Sequence, residues 1–349
     1  MAGANLYVHF PFCRSKCAYC ALHSRPGASA PERDAYAVAV ANEVSRLPIG
    51  GGGLSTVYFG GGTPCLCDLA PVFDVLESLV GDGCEFTVEL HPLDVSPALL
   101  DTLRAGGVNR ISMGVQSLED GVLAAMGRGY SADDAERAFA AVRSRFDNAG
   151  IDLIVGYPGE NADVRAAMQR LGGWGLVHCS VYSLQNERGL ADVPDDDAAL
   201  DRVSQAADFL RSIGLERYEI SNYARPGMEC RHNFAVWRGE DYFGVGEGAC
   251  GRVGLTRTRG VRHHAPNGDS PRVVPFVTSV TSVTSSADAA ERRLFRLRTR
   301  EGLDAAGRPE WRTVLDRFAA EGLLSRDGDT YRLTLRGTEV CDTILEELV

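Results

Sequence analysis

Three cysteines sit within eight residues near the start of the chain. Cys13, Cys17 and Cys20 are spaced C-x3-C-x2-C within YVHFPFCRSKCAYC, residues 7–20. Thiolates are soft ligands that select zinc, copper(I) or iron–sulfur clusters. Three of them at this density can hold three irons of a cubane [4Fe–4S] cluster, leaving the fourth iron open to a small molecule. A structural zinc site would want a fourth ligand from a second C-x2-C or H-x3-H pair, and none follows. Two plainer readings stand beside the cluster: a redox pair formed by Cys17 and Cys20, or three buried cysteines without a ligand role. Tyr19, between the last two cysteines, suits a cluster screened from water.

Other segments carry chemistry too. Gly60-Gly61-Gly62-Thr63-Pro64 lets backbone approach a ligand without a Cβ clash and bares N–H and C=O groups, or simply makes a tight strand-to-helix turn. Glu89, in VELHP, is a carboxylate that can accept from an ammonium or a ribose, or a solvated loop acid. Residues 218–251 are rich in aromatics and glycine. There His232 reads equally as an exposed haem-iron ligand and as a hydrogen-bonded structural residue, with Cys230 an alternative ligand. His263-His264 falls in a loop and takes no role. The remaining cysteines read as small apolar fillers, although Cys65-x-Cys67 lies beside the glycine loop.

These residues need elements to aim them. Short β-rich runs at residues 5–10, 56–59, 85–90, 110–116, 151–155 and 178–184 alternate with helical periodicity at 32–47, 69–80, 96–105, 131–145, 162–171 and 195–213. Ser96 and Pro97 suit a helix start. Such alternation predicts an α/β fold with a parallel sheet curling toward a partial (β/α)6 barrel, with chemistry at the C-terminal ends of its strands. The cysteine loop, the triple glycine, Glu89, Gln116 and Asp152 all gather there. Residues 1–215 form this core, 216–286 an irregular extension ending in an exposed TSVTSVTSS connector, and 287–349 a helix–helix–hairpin–helix module of winged-helix type. The module's acids, including Asp327, Asp329 and Glu339, direct it to a structural or docking role instead of DNA binding.

Composition narrows the classes. Of 349 residues 44% are hydrophobic, but no apolar run is long enough to span a membrane. The start shows no secretory signal, so the cytoplasm is expected. There, ten cysteines point to metal or redox chemistry, not disulfides. A net charge of −11 argues against nucleic-acid and anionic-membrane surfaces.

The pattern Y-x-H-x-P-F-C-x3-C-x-Y-C resembles the radical S-adenosylmethionine (SAM) superfamily, in its HemN/HemW branch of oxygen-independent coproporphyrinogen oxidases and haem-chaperone relatives. The resemblance implies that SAM chelates the open iron and is cleaved reductively, with the electron arriving from a reductant such as flavodoxin or ferredoxin. It implies SAM contacts from Tyr7, Tyr19, Gly61, Gly62, Thr63, Glu89, Gln116, Arg128 and Asp152. The histidine usual two residues after the arginine is here Tyr130, a departure that bears on a substrate-side contact and not on SAM binding. VYSLQNERGL, YEISN at 218–222 and HNFAVW at 232–237 match further branch motifs, with Leu190 and Val236 as departures.

Within the branch, the oxidases carry a fourth cysteine where this chain has Leu22, and an N-terminal extension that is almost absent here. Both point to the HemW-like side: a haem-binding carrier that delivers haem to an unidentified acceptor protein. A HemN-like radical enzyme, a methyltransferase or an oxidase acting on an aromatic or porphyrinogen substrate, is the alternative.

Overall fold

In the computed structural model, which describes residues 3–261, 277–282 and 285–349, six strands run parallel and in sequence order. They are β1 (Ala4–Phe10), β2 (Leu54–Gly61), β3 (Val80–Leu90), β4 (Arg110–Gln116), β5 (Asn148–Val155) and β6 (His178–Ser183). Their side chains obey the period of two that a strand imposes. One face of β4 carries Ile111, Met113 and Val115, all buried in the main core. The other carries Arg110, Ser112, Gly114 and Gln116. β3 repeats this with Phe86, Val88 and Leu90 against Glu85, Thr87 and Glu89. The apolar faces pack on α1 (Ala30–Val44), α2 (Ala70–Leu76), α3 (Pro97–Ala105), α5 (Ala132–Arg143) and α7 (Asp196–Ser212), around a short α4 (Asp120–Met126) and α6 (Arg165–Gln169). Burying each such Val, Leu or Phe contributes about 1.5–3 kcal/mol. The polar faces line the concave interior.

Local signals set several boundaries. Ser96 accepts from the Leu99 N–H at 3.2 Å ahead of Pro97, as expected of an N-cap. Ser131 and Asp134 form a reciprocal capping box at the start of α5. Other boundaries differ from the sequence reading. The helix expected over 69–80 stops at Leu76, because the chain enters β3 at Val80, and α4 was not foreseen at all.

The largest difference lies after residue 215. The segment read as irregular supplies β7 (Glu216–Arg217), β8 (Asn222–Ala224), α8 (Arg231–Trp237), β9 (Tyr242–Val245), β10 (Cys250–Val253) and β11 (Thr256–Val261). The TSVTSVTSS run, read as a connector, contributes β12 (Val277–Ser282), paired antiparallel with β11. Among the described residues the sheet therefore has twelve strands, in the order β12-β11-β10-β9-β1-β2-β3-β4-β5-β6-β8-β7. β9 lies parallel to β1, placing Asn5 opposite Tyr242 and Tyr7 opposite Gly244. Short strands and frequent glycine hid it, because its pairing is non-local. His263-His264 lies outside the described residues.

The C-terminal part holds α9 (Ser285–Phe295), β13 (Leu303–Asp304), α10 (Pro309–Ala320), β14 (Leu324–Asp327), β15 (Thr330–Leu333), α11 (Leu335–Glu339) and α12 (Cys341–Glu346). The hairpin turns at Asp327-Gly328, and β15 also pairs with β13. A separate apolar cluster forms around Leu297, Leu315, Tyr331 and Ile344. Among the described residues no helix is long and apolar enough to cross a membrane.

Candidate functional site

The cysteine loop leaves the C-terminal end of β1, and residues 12–13 pair with 25–26 to close its base. The Ala18 N–H donates to the Met126 carbonyl, tying the loop to the end of α4. All three thiols are half-buried. Burial first, then the neighbouring Cys20 and Cys17, pushes the Cys13 thiol up to about 11. Among the described residues no three His, Cys, Asp or Glu side chains converge as one bound ion would require. A cubane makes a different demand, because each of three corner irons takes its own thiolate. Three neighbouring, separately placed thiols fit that demand.

Arg128 makes the strongest link between this loop and the barrel. It follows Gly127, whose φ of 78° ends α4 in a left-handed turn. Its Nη1 donates to Cys17 Sγ at 3.4 Å, its Nη2 to the Gly114 carbonyl at 2.7 Å and its Nε to the Tyr130 hydroxyl at 2.9 Å. Tyr130 in turn donates to the Val115 carbonyl at 2.8 Å. Tyr130 is thus buried as a brace for Arg128. Tyr19 packs on Val122, Met126 and Tyr157, with Leu184 and Leu190 from the loop after β6 against the same cluster.

The glycine loop is used differently from the sequence reading. Its donors are not bared: Gly61 N–H donates to Glu89 Oε2 at 3.1 Å, Gly62 N–H to the Phe10 carbonyl and Thr63 N–H to the Phe12 carbonyl, both at 2.7 Å. A Cβ on Gly61, whose φ is 107°, would lie 2.5 Å from the His9 ring, and one on Gly62 would collide with the Phe12 carbonyl. The close approach these glycines permit is between the two loops, which fixes the cysteines' root. Cys65 and Cys67 flank this turn, and burial pushes the Cys67 thiol up to about 12.

Inside the barrel, Tyr58 donates to Glu89 Oε1 at 2.8 Å. Burial, then the charge of Asp152, pushes the Glu89 carboxyl up to about 7. Asp152 accepts from Ser112 at 3.1 Å, and burial raises its carboxyl as well. Tyr7 bonds His9 Nδ1 at 2.9 Å and stacks on Tyr58 with ring centroids 6.1 Å apart. Gln116 has a φ of 72° at a bulge in β4. A non-glycine held there is strained, and such strain concentrates at functional sites. Cys13, Cys17, Cys20, Tyr19, Arg128 and Gln116 thus share the C-terminal rim, joined through Glu89 and Gly61 to the interior carboxylates.

His232 and Cys230 do not join them. Both are buried at the opposite, N-terminal end of the barrel, which α8 plugs. His232 bonds Thr56 at 2.8 Å, and burial pushes its imidazole down to about 3. Cys230 Sγ lies 3.6 Å from Glu85, and burial pushes its thiol up to about 12. The exposure assumed for His232 is therefore corrected: of its two readings, it occupies the hydrogen-bonded one. Tyr218 of YEISN braces the same end, accepting the Cys230 N–H at 3.1 Å and bonding His178 at 2.9 Å. Sequence reasoning missed Glu85, Arg110, Tyr58 and Ser112. The alternation of polar and apolar residues in β2, β3 and β4 was the signal that marks them as interior.

The Radical SAM superfamily pattern matches residues 7–171. The heme chaperone HemW of Mycobacterium tuberculosis is 34% identical over 375 residues, covering 99% of this chain and 94% of that protein. This chain belongs to the radical SAM superfamily, in its HemN/HemW branch. The heme chaperone HemW of Escherichia coli is 30% identical, covering 98% of this chain and 97% of that protein. In fold, the radical SAM chain superposes on coproporphyrinogen III oxidase (HemN) from E. coli with a TM-score of 0.81 over 99% of its length, at 22% identity. Membership of the radical SAM superfamily implies a [4Fe–4S] cluster and SAM.

Proposed function

We propose that this protein is a haem carrier of the HemW type. It holds a [4Fe–4S] cluster through Cys13, Cys17 and Cys20, binds SAM beside it, and passes haem to an acceptor protein. The observation that carries the reading is the match, over nearly both full lengths, to proteins named heme chaperone HemW. Leu22, 59% exposed where the oxidases have their extra cysteine, supports it.

In this reading the half-buried thiols take three irons and Arg128 offsets their charge. Tyr7, Gly61, Gly62, Thr63 and Gln116 shape the SAM cleft. Glu89 and Asp152 are the carboxylates available to an ammonium or ribose. The cluster, when bound, supplies one electron to SAM, and an external reductant such as flavodoxin or ferredoxin replaces it.

A second reading, a HemN-like enzyme, rests on the departures from the branch motifs at Tyr130, Leu190 and Val236. Anaerobic reconstitution followed by haem titration at the Soret band separates the two. Saturable one-to-one binding is expected. No specific haem binding, with SAM still cleaved, would overturn the carrier in favour of the enzyme.

A further inference from the structure

The twelve-stranded sheet continues the barrel's concave face past β1. Because alternate residues of a strand share a face, paired positions line up in rows across it. One row runs Asn5, Tyr242, Arg252, Arg257, Thr281. The next starts at Tyr7 and Gly244 and reaches Cys250 and Arg259, since pairing Tyr242 with Arg252 sets Gly244 opposite Cys250. Gly244 has no side chain, and the Cys250 carbonyl lies where its Cβ would stand, so the strand carrying Cys250 closes directly onto Gly244.

Over these rows lies a cavity of about 290 Å³, walled by Val236 of α8, by Glu291 and Phe295 of α9, and by Tyr242, Cys250, Arg252, Arg257 and Arg259 of the sheet. Three guanidinium groups line this wall, and Arg252 and Arg257 each pair with two carboxylates, Asp288 and Glu291. Arg252 Nη2 donates to Asp288 Oδ1 at 3.0 Å and Arg257 Nη2 to Glu291 Oε2 at 2.9 Å. Arg252 Nε and Arg257 Nη1 have no acceptor among the described residues. Each guanidinium offers a fork matched to a carboxylate. Phe295, Val236 and the Tyr242 ring give the same space apolar walls, and the Arg252 guanidinium lies over the Phe295 ring at 5.4 Å. Cys250 is exposed, a thiol within reach of a soft metal.

We propose that this cavity seats the carried ligand by its edge: a planar, apolar molecule bearing carboxylates, with Arg252 and Arg257 taking the carboxylates and Cys250 facing the ring's metal. This rests on the haem-carrier reading and gives it a site, in place of the buried His232 and Cys230. A cavity of this size holds one edge of a macrocycle and leaves the rest accessible for hand-over. The close approach of Cys250 to Gly244, which pairs with Tyr7, sets the ligand on the same face as the SAM cleft.

The test uses the full chain with its cluster reconstituted anaerobically, and titrates ferric haem, iron-free protoporphyrin IX and haem dimethyl ester. Wild type is expected to bind the dimethyl ester at least about tenfold more weakly than haem, one charged contact's worth of affinity. Arg257→Gln erases that preference. Cys250→Ser leaves protoporphyrin binding unchanged while weakening haem and shifting its Soret band. The ester comparison needs no variant, so it stands even if Arg257→Gln, which also loses its bonds to Asp288 and Glu291, folds poorly. Equal affinity for haem and its dimethyl ester overturns this site but leaves the carrier reading intact. A Soret band indifferent to Cys250→Ser removes the sulfur ligand. No haem binding by wild type overturns both.

Discussion

Replacing Glu85 by Gln tests how the closed end of the barrel is held. Glu85 is 5% exposed. Its Oε2 accepts the Arg231 N–H at 2.9 Å and its Oε1 the His232 N–H at 3.0 Å, so one carboxylate anchors α8. It also faces Arg110, which is 1% exposed. Cys230, a further neighbour of Arg110, keeps its thiol protonated below about 12 and so carries no charge to offset it. Glutamine keeps one acceptor, turns an N–H2 toward a backbone N–H, and strands the Arg110 charge. Removing one partner of a buried charge pair costs about 3–5 kcal/mol. Unfolding entropy of about 2.1 cal/mol/K per residue gives roughly 0.7 kcal/mol/K for a chain of this length, so Tm should fall by about 4–7 °C. Differential scanning calorimetry reads the drop. Hydrogen exchange at the amides of residues 231 and 232 should accelerate alongside it. Adding Arg110→Met should recover part of the loss, because the stranded charge is gone. A fall below about 1 °C, with those amides unchanged, would refute the argument.

Three further outcomes follow from the same geometry. Arg128→Gln removes a cationic N–H donor from Cys17 Sγ and with it a preference for the reduced, more negative cluster; the midpoint potential should drop by about 60 mV, a tenfold factor for a one-electron couple, in an EPR-monitored redox titration. Glu89, raised to about 7, is largely neutral below that pH, so SAM affinity should fall as pH drops through 7, and Glu89→Gln should flatten the profile in equilibrium dialysis. A pH-independent wild type would rule out ionised Glu89 as the ammonium partner. Gly62→Ala forces the Phe12 carbonyl aside and should cut iron incorporated per chain by more than half while far-UV circular dichroism stays native; full iron loading would show that the loop contact does not set the cysteines.

The sequence made the rim legible and the closed end illegible, for a physical reason. Cysteine spacing, a triple glycine and alternating elements are local patterns, and local patterns can be read one window at a time. The fate of His232 depends on Thr56 and Glu85, both well over a hundred residues earlier, and nothing in HNFAVW reports that docking. β9 is four residues long and holds a glycine, so only its parallel partner β1 makes it a strand. Tyr130 was visible as a departure from the branch pattern, yet its job as a brace needed the position of the Gly114 and Val115 carbonyls.

That parallel partner has a consequence for synthesis. A ribosome makes β9 only some 230 residues after β1. Through that interval residues 5–8 of β1 present unpaired N–H and C=O groups along an open sheet edge, the feature that invites pairing with another chain. A chain stopped at residue 215 never covers that edge, so the parallel strands alone should form mixed-chain aggregates where the longer chain stays monodisperse.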